Sequence, residues 1–376
     1  MPHFRTSEPK KYDVIIVGAG PAGCSCAFEL RNHGKSVLIL DKSDFPRHKP
    51  CAGGITKKAL DQLPIDISHL IQHCSHEMVF KFDEHRAVEL KHDLGSCVMV
   101  IREEFDDYFF NETLKKGANF EKIKKIENIE YSSTKVFLNT DTTKYECSYL
   151  IGADGANSIV RKLTTELIYE NPVYAFEGLV TKNEKNKQVK TEFIFNKRGY
   201  AWVFPKEKHF NVGIGNLINT KNSSKARKKD LYDFVFSRFG TKNIENITGF
   251  PIGTEGTEYK ALLDKVFLVG DAAGLSESLL GEGIYNAIVS GKYAAKSIIK
   301  NEQEVGFSAK HFYNTFLKQL TSELRLYKKG SKLLYGYPKI SYFLIKFGLG
   351  KKFMDGYSEG KTITEILKKK KLLPNY

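Results

Sequence analysis

The chain has 376 residues, 41% hydrophobic and 27% charged, enough for one large or two medium domains with a buried core; disordered and collagen-like chains are excluded. Fifty-eight Lys and Arg against 44 Asp and Glu give a formal net charge of +14, which favours anionic company: phosphates, nucleic acid or an acidic membrane surface. Six irregularly spaced cysteines without a Cys-x-x-Cys pair argue against a disulfide framework or a zinc site and fit a reducing cytoplasm.

The first eleven residues carry Arg5, Glu8, Lys10 and Lys11 without an apolar core, so a secretory signal peptide is not expected. Asp13 to Val17 is a β-branched run entering Gly18-Ala19-Gly20-Pro21-Ala22-Gly23; a helical stretch from Ala22 to His33 and a second apolar run, Val37 to Leu40, follow. Gly18 permits the tight turn, Gly20 lets a pyrophosphate approach the backbone, and Gly23 lets the helix pack on the strand, while the helix N-terminus offers N–H groups to an anion. Asp41 stands eighteen residues after Gly23, where an acid holds ribose hydroxyls, with Lys42 beside it as a further cofactor-binding candidate. The segment reads as a dinucleotide site, and the acid favours FAD or NAD over NADP.

His69, His73 and His76 fall at helical spacing, but a solvated helix face accounts for them better than a metal site, because Cys74 would point off that face. Strands are expected at Tyr149 to Ala153, Glu192 to Phe195, Ala201 to Phe204, Val212 to Ile214 and Lys265 to Val269. The first and last of these lead into Asp154-Gly155 and Gly270-Asp271, at strand ends where an α/β sheet presents ligand contacts; each alone also reads as a common turn. Tyr200, Trp202 and Phe204 alternate with Ala201 and Val203 and share one face, either plain core or the wall of an apolar tunnel. Beyond Gly283 the spacing is helical to the end, with Ala287, Ser290, Ala294 and Ala295 on one face. The most apolar long stretch, Leu333 to Phe353, is interrupted by Lys339 and Lys346, so no bilayer span is expected. Lys351, Lys352 and Lys368 to Lys371, with Ile345, Phe347, Leu349, Phe353, Ile366 and Leu367 between, make a basic, partly amphipathic tail; a solvated face and membrane docking both stand. The expected fold is α/β, a mixed body with a helical tail.

Together, the Gly18–Gly23, Asp154-Gly155 and Gly270-Asp271 segments resemble FAD-dependent oxidoreductases of the glutathione-reductase-like superfamily, in the branch shared with aromatic hydroxylases. Four more segments make nearly the whole chain resemble the geranylgeranyl reductase family: Lys49-Pro50-Cys51-Ala52-Gly53-Gly54-Ile55-Thr56, Arg102-Glu103-Glu104-Phe105-Asp106, Gly199 to Lys206 leading into Asn211 to Gly215, and Gly281-Glu282-Gly283-Ile284. The resemblance implies a Rossmann-like FAD-binding domain from residues 11–75, 100–165 and 260–300, an inserted antiparallel-sheet substrate domain from 76–99 and 166–259, and a helical region over 301–376. It implies that Asp271 meets the ribityl chain of FAD and that Asp154 lies near the cofactor and its reductant. Arg102 would meet the flavin phosphates or the isoalloxazine, unless it is a surface residue paired with Glu103 or Asp106. Gly281, Glu282, Gly283 and Ile284 would bring backbone N–H groups at a helix start beside the flavin pyrimidine. Cys51 would lie on the substrate side of the flavin with Ala52, both in contact with the cofactor; a buried, inert thiol is its plain alternative. Cys24 and Cys26 read as packing. Gly54, Tyr200, Trp202 and Phe204 would line the substrate tunnel, and Cys51, Tyr200 or an ordered water would supply a proton. The chain departs from the family at Glu277-Ser278, where Asn-Pro is usual, and its single Trp weakens a flavin-halogenase reading.

The implied activity is saturation of isolated prenyl double bonds by hydride from reduced flavin plus a proton. The substrate would be a prenyl lipid, a prenyl diphosphate or an isoprenoid quinone. NAD(P)H would bind transiently, since no second Gly-x-Gly-x-x-Gly follows a strand, or another electron donor would serve. A lipid substrate would make peripheral contact at the inner face of the membrane useful. Two alternatives are an FAD-dependent monooxygenase of the aromatic-hydroxylase or halogenase type and, last because no RNA-binding motif is visible, a basic FAD protein acting on tRNA.

Overall fold

The computed structural model describes residues 8–169, 173–196, 199–217 and 226–368. The first sheet is built on the Lys10–Val17 strand, whose Val14–Val17 run is buried between two parallel neighbours, Val37–Asp41 and Lys144–Gly152. Asn119–Lys122 extends the sheet beyond Val37–Asp41. The far edge of Lys144–Gly152 is divided: its first half pairs antiparallel with Val136–Thr140, which carries Ile126–Tyr131, and its end pairs parallel with Val266–Leu268. Helix Pro21–Asn32 packs against helix Ile284–Gln303, and the approach is close: a Cβ on Gly291 would lie 2.3 Å from the Ala22 carbonyl oxygen.

The second sheet runs in the order Glu245–Ile252, Val173–Thr181, His209–Asn216, Gly199–Pro205, Thr191–Phe195, Glu77–Lys81, Ala87–Lys91. Its neighbours are antiparallel except Thr191–Phe195 and Glu77–Lys81, which run parallel where the chain's two visits to this sheet meet. Both faces are covered. Ala201, Val203 and Val212 pack with Leu231 and Val235 of helix Lys228–Phe239, while Tyr200, Trp202 and Phe204 pack with Leu334, Tyr335, Tyr342 and Met354 of the C-terminal helices. Two-sided burial explains why the whole Gly199–Pro205 strand is apolar rather than alternating with polar residues.

The C-terminal helices are Ala309–Gly336, Pro338–Leu344, Gly350–Ser358 and Ile363–Leu367. Pro338 ends the first of them, and Gly348, at φ +125°, breaks the next. Among the described residues no helix is long and apolar enough to cross a membrane. The expected tail residues Lys369, Lys370 and Lys371 lie outside the described residues.

The helical spacing of His69, His73 and His76 does not become a helix. His69 sits in the single turn Ser68–Leu70, and His73–Cys74 is a strand paired with Cys97–Met99. The Gln72 N–H donates to Met99 O at 2.8 Å and the Ser75 N–H to Cys97 O at 2.9 Å, so cross-strand bonds take the donors a helix would have used.

Candidate flavin and substrate site

Gly18 has φ +107°, and a Cβ there would lie 2.3 Å from Ala153 O; a Cβ on Gly23 would lie 1.9 Å from Gly18 O. Both positions therefore require glycine. Gly20 differs: its backbone is ordinary extended chain, and its nearest neighbour is Arg47 Nη2, 3.6 Å from a Cβ position. Space is thus left over the turn, at the start of a helix with Pro21 in its first turn and no side-chain cap, the arrangement an anionic pyrophosphate needs. Asp41 is held at this turn through both oxygens, Oδ2 accepting from the Ala19 N–H at 2.8 Å and Oδ1 from the Ser43 N–H at 2.9 Å; Lys42 beside it is exposed.

Arg102 is buried rather than on the surface. Its fork is bidentate to Asp106 at 2.7 and 2.8 Å, and Arg47 reaches the same carboxylate at 3.1 Å. Burial pulls the Arg102 pKa down, and Asp106 and Cys51 more than reverse it, so the guanidinium stays charged. The pair Arg47–Asp106 links the glycine turn to the helix that begins at Arg102; the sequence offered no sign of Arg47, because it lies between motifs.

Asp154 caps helix Ile159–Thr164: its carboxylate accepts from Ser158 Oγ and the Ile159 N–H, both at 2.6 Å, and burial pushes its pKa up despite these bonds. Asp271 accepts from Ser276 Oγ at 2.6 Å, and a Cβ on Gly270 would lie 3.2 Å from the Ala22 Cβ, so the Gly270-Asp271 turn abuts the first helix. Helix Ile284–Gln303 begins at Gly283, again with no side-chain cap, and a Cβ on Gly283 would lie 2.4 Å from Ser276 Oγ. The preceding loop has Gly281 at φ +76°. The buried Glu277 carboxylate accepts from the backbone N–H groups of Leu279, Leu280 and Glu282, the last two at 2.7 and 2.9 Å. A carboxylate clamp thus holds this loop without a proline, and burial pushes the Glu277 pKa up to about 7. Glu282 turns away from the loop to Lys58 at 2.8 Å and accepts from Thr56 Oγ1 at 2.6 Å.

The Cys51 N–H donates to Glu177 Oε1 at 2.9 Å, and its sulfur accepts from the Gly53 N–H at 3.4 Å. Lys49, Arg102 and Lys206 all interact electrostatically with this sulfur. Lys206 is buried, donates to Ala52 O and Val100 O at 2.7 and 2.9 Å, and burial pulls its pKa down to about 8. Burial likewise raises Glu177 and lowers Lys49. Cys24 and Cys26 are fully enclosed in the first helix, as packing requires.

From Cys51, Ala52, Gly53, Gly281, Gly283 and Ile284 a cavity of about 540 Å³ extends along Gly54, Phe193, Phe195, Tyr200, Trp202 and Phe204 to the C-terminal helices. Its size falls within the usual range of small-molecule sites. The Trp202 indole is fixed from the neighbouring strand: Nε1 donates to Asn211 Oδ1 at 2.7 Å, and a Cβ on Gly213 would lie 2.1 Å from the ring. That pairing accounts for the Asn-x-Gly spacing of the next strand. The Tyr200 hydroxyl donates to Leu280 O, and burial, with Glu277 and Cys51 nearby, keeps its pKa far above the ordinary phenol value. Among the described residues no group of three His, Cys, Asp or Glu side chains is placed to hold a metal.

A family model described as an FAD binding domain matches residues 11–306. An uncharacterized protein of Methanosarcina barkeri is 33% identical, covering 89% of this chain and 87% of its own length. Digeranylgeranylglycerophospholipid reductase 2 of Methanosphaera stadtmanae is 27% identical over 86% of this chain and 87% of its own. A geranylgeranyl diphosphate reductase of Rhodobacter capsulatus is 29% identical over 76% and 75%. Among solved structures, a geranylgeranyl bacteriochlorophyll reductase-like protein of Thermoplasma acidophilum superposes with a TM-score of 0.67 at 23% identity over 95% of both chains. The halogenase PltM superposes at 0.74 with 15% identity over 93% of this chain and 82% of its own. At these identities the superpositions establish a common fold.

Proposed function

The chain belongs to the FAD binding domain family and is an FAD-dependent oxidoreductase of the geranylgeranyl reductase type, and from that premise we propose that it saturates isolated double bonds of a prenyl chain carried on a lipid, a diphosphate or a quinone. The observation that carries this reading is the apolar cavity that begins at Cys51 and Gly281–Ile284 and runs past Tyr200, Trp202 and Phe204. Its walls suit a hydrocarbon chain and have little to offer a polar aromatic acid.

Residues Gly18 to Gly23 with the uncapped first helix fit the pyrophosphate of FAD, Asp41 its ribose, and Arg47 and Arg102 its negative charge. The Gly270-Asp271 turn and the uncapped N-terminus at Gly283 fit the ribityl chain and the pyrimidine edge, where reduction places negative charge. Bound FAD supplies hydride chemistry. An alkene without a conjugated carbonyl does not stabilise an added hydride alone, so a proton must reach the neighbouring carbon in the same step. The chain supplies the rest. The aromatic wall excludes water and holds the alkene, and delivery of the proton falls to Cys51 or Tyr200 at the flavin end of the cavity. The phenol pKa lies far above neutrality, so Tyr200 holds its proton throughout the working range. Electrons would come from transient NAD(P)H or another donor.

The test is anaerobic. The FAD-loaded protein is reduced with dithionite, a geranylgeranyl lipid or diphosphate is added, and flavin absorbance and product mass are followed. Reoxidation with a gain of two hydrogens per double bond is expected. A flavin that stays reduced until oxygen is admitted overturns the reading in favour of a monooxygenase.

A further inference from the structure

Around the distal end of the cavity the surface is unlike the rest of the protein. Leu333, Tyr337, Ile340, Phe343, Leu344 and Phe347 are all exposed, Phe343 at 54% and Phe347 at 74%. The rings of Phe343 and Phe347 stack on one another with centroids 6.1 Å apart. Pro338 at its start and the break at Gly348 set this short helix apart from the long helix before it and the helix after it. Leu333 and Leu344 also line the cavity, so the exposed patch is the rim of the substrate channel. Contiguous apolar surface of this kind is rare on proteins that meet only water.

The charge of the same segment is one-sided. From Leu326 to Met354 the chain has seven lysines, 328, 329, 332, 339, 346, 351 and 352, and no Asp or Glu. The Lys346 ammonium donates to the Tyr342 hydroxyl at 3.0 Å and lies 5.7 Å from the Phe347 ring centroid, its stem running along the aromatic surface.

We infer that this rim, centred on Ile340, Phe343 and Phe347, is a docking face for an anionic lipid surface, and that it opens the cavity directly onto the acyl region; the inference rests on the prenyl-reductase reading and names where its substrate enters. Exposed apolar and aromatic side chains interspersed with exposed lysines along one segment are the composition that settles at a headgroup boundary, each lysine gaining from negative lipid. A second copy of the chain is a poor occupant, because it would bring another seven positive charges against the same face. Entry through the rim spares the prenyl chain a passage through water.

The experiment is sedimentation of the full-length, FAD-loaded protein with vesicles of phosphatidylglycerol mixed into phosphatidylcholine, against phosphatidylcholine alone. Binding to the anionic vesicles is expected to exceed binding to the neutral ones by about tenfold and to weaken in high salt. The double variant Phe343→Ser/Phe347→Ser is expected to lose about tenfold in vesicle binding. It should keep its flavin, and its reduced flavin should be reoxidised normally by a water-soluble short-chain prenyl diphosphate, while turnover of vesicle-embedded prenyl lipid falls. Equal vesicle binding by variant and parent overturns the docking face. So does a parent that is dimeric by gel filtration and a variant that is monomeric with vesicle binding unchanged, which would assign the rim to self-association. If the parent binds anionic vesicles through this rim but no prenyl substrate reoxidises its flavin, the docking face stands and the reductase reading falls.

Discussion

Gly20 and Gly23 illustrate how one motif contains two different demands. Gly23→Val cannot be accommodated, since a Cβ there would meet the Gly18 carbonyl. Gly20→Val keeps an allowed backbone and fills only the open space over the turn, so the variant should fold with an unchanged circular dichroism spectrum and lose its yellow colour; retained flavin would refute the pyrophosphate assignment. Cys51→Ser keeps the backbone bond to Glu177 and should bind FAD normally while single-turnover reoxidation slows by about 10- to 100-fold. An unchanged rate would return Cys51 to packing. Glu277 makes stability depend on pH. Its pKa of about 7 lies above the ordinary 4.5, so between those values the folded chain binds more protons than the unfolded one. The associated stabilisation is complete below about 4.5 and is lost as pH rises through about 7. Measured by urea unfolding, the parent should therefore lose up to roughly 3 kcal/mol relative to Glu277→Gln across that window. A constant difference between the two proteins would show that the carboxyl titrates normally.

Strands and helices here are shaped by their neighbours. The strands at Lys10–Val17, Val37–Asp41 and Gly199–Pro205 were legible because β-branched and aromatic runs ended in glycine, aspartate or proline. The histidine segment was misread because a spacing of three and four residues carries no information about a cross-strand partner, here Cys97–Met99. Trp202 shows the coupling between adjacent strands most directly, as Gly213 makes room for its ring and Asn211 bonds its nitrogen. Gly213→Ala should overpack this pair and cost about 1–3 kcal/mol in urea unfolding. Because the chain has one Trp, the fluorescence maximum should shift at the same time, and an unmoved emission would mean that the sheet relaxes to admit the methyl.

Across the whole molecule, the loop before helix Ile284–Gln303 and the C-terminal helices meet at the buried Lys58, which pairs with Glu282 of the loop and touches Tyr327 and Tyr357 of the helices. Lys58 bonds Glu282 at 2.8 Å and is ringed by Tyr285, Tyr327 and Tyr357, with its Nζ 4.4 Å from the Tyr285 ring centroid. Burial pulls the Lys58 pKa down, and Glu282 more than reverses this, so the ammonium stays charged. Lys58→Met strands a carboxylate and should cost about 3–5 kcal/mol, whereas Lys58→Met/Glu282→Gln should recover most of that loss in thermal unfolding. Additive losses would show that the two residues act separately. The glycine turn, the acid hydrogen-bonded to it and the aromatic strand were readable from sequence alone, because each is a local pattern set within about twenty residues. Tertiary structure alone decided that Glu177 holds Cys51, that Arg47 joins Arg102 on Asp106, that a buried Glu277 clamps the loop through Leu279, Leu280 and Glu282, and that the cavity rim is apolar and basic. The Glu177–Cys51 and Arg47–Asp106 contacts join residues far apart in sequence, 126 positions in the case of Glu177 and Cys51, whereas the Glu277 clamp is local and needs the burial that only packing provides. A burial that switches a side chain from solvent to partner becomes visible only once the sheets and helices have packed.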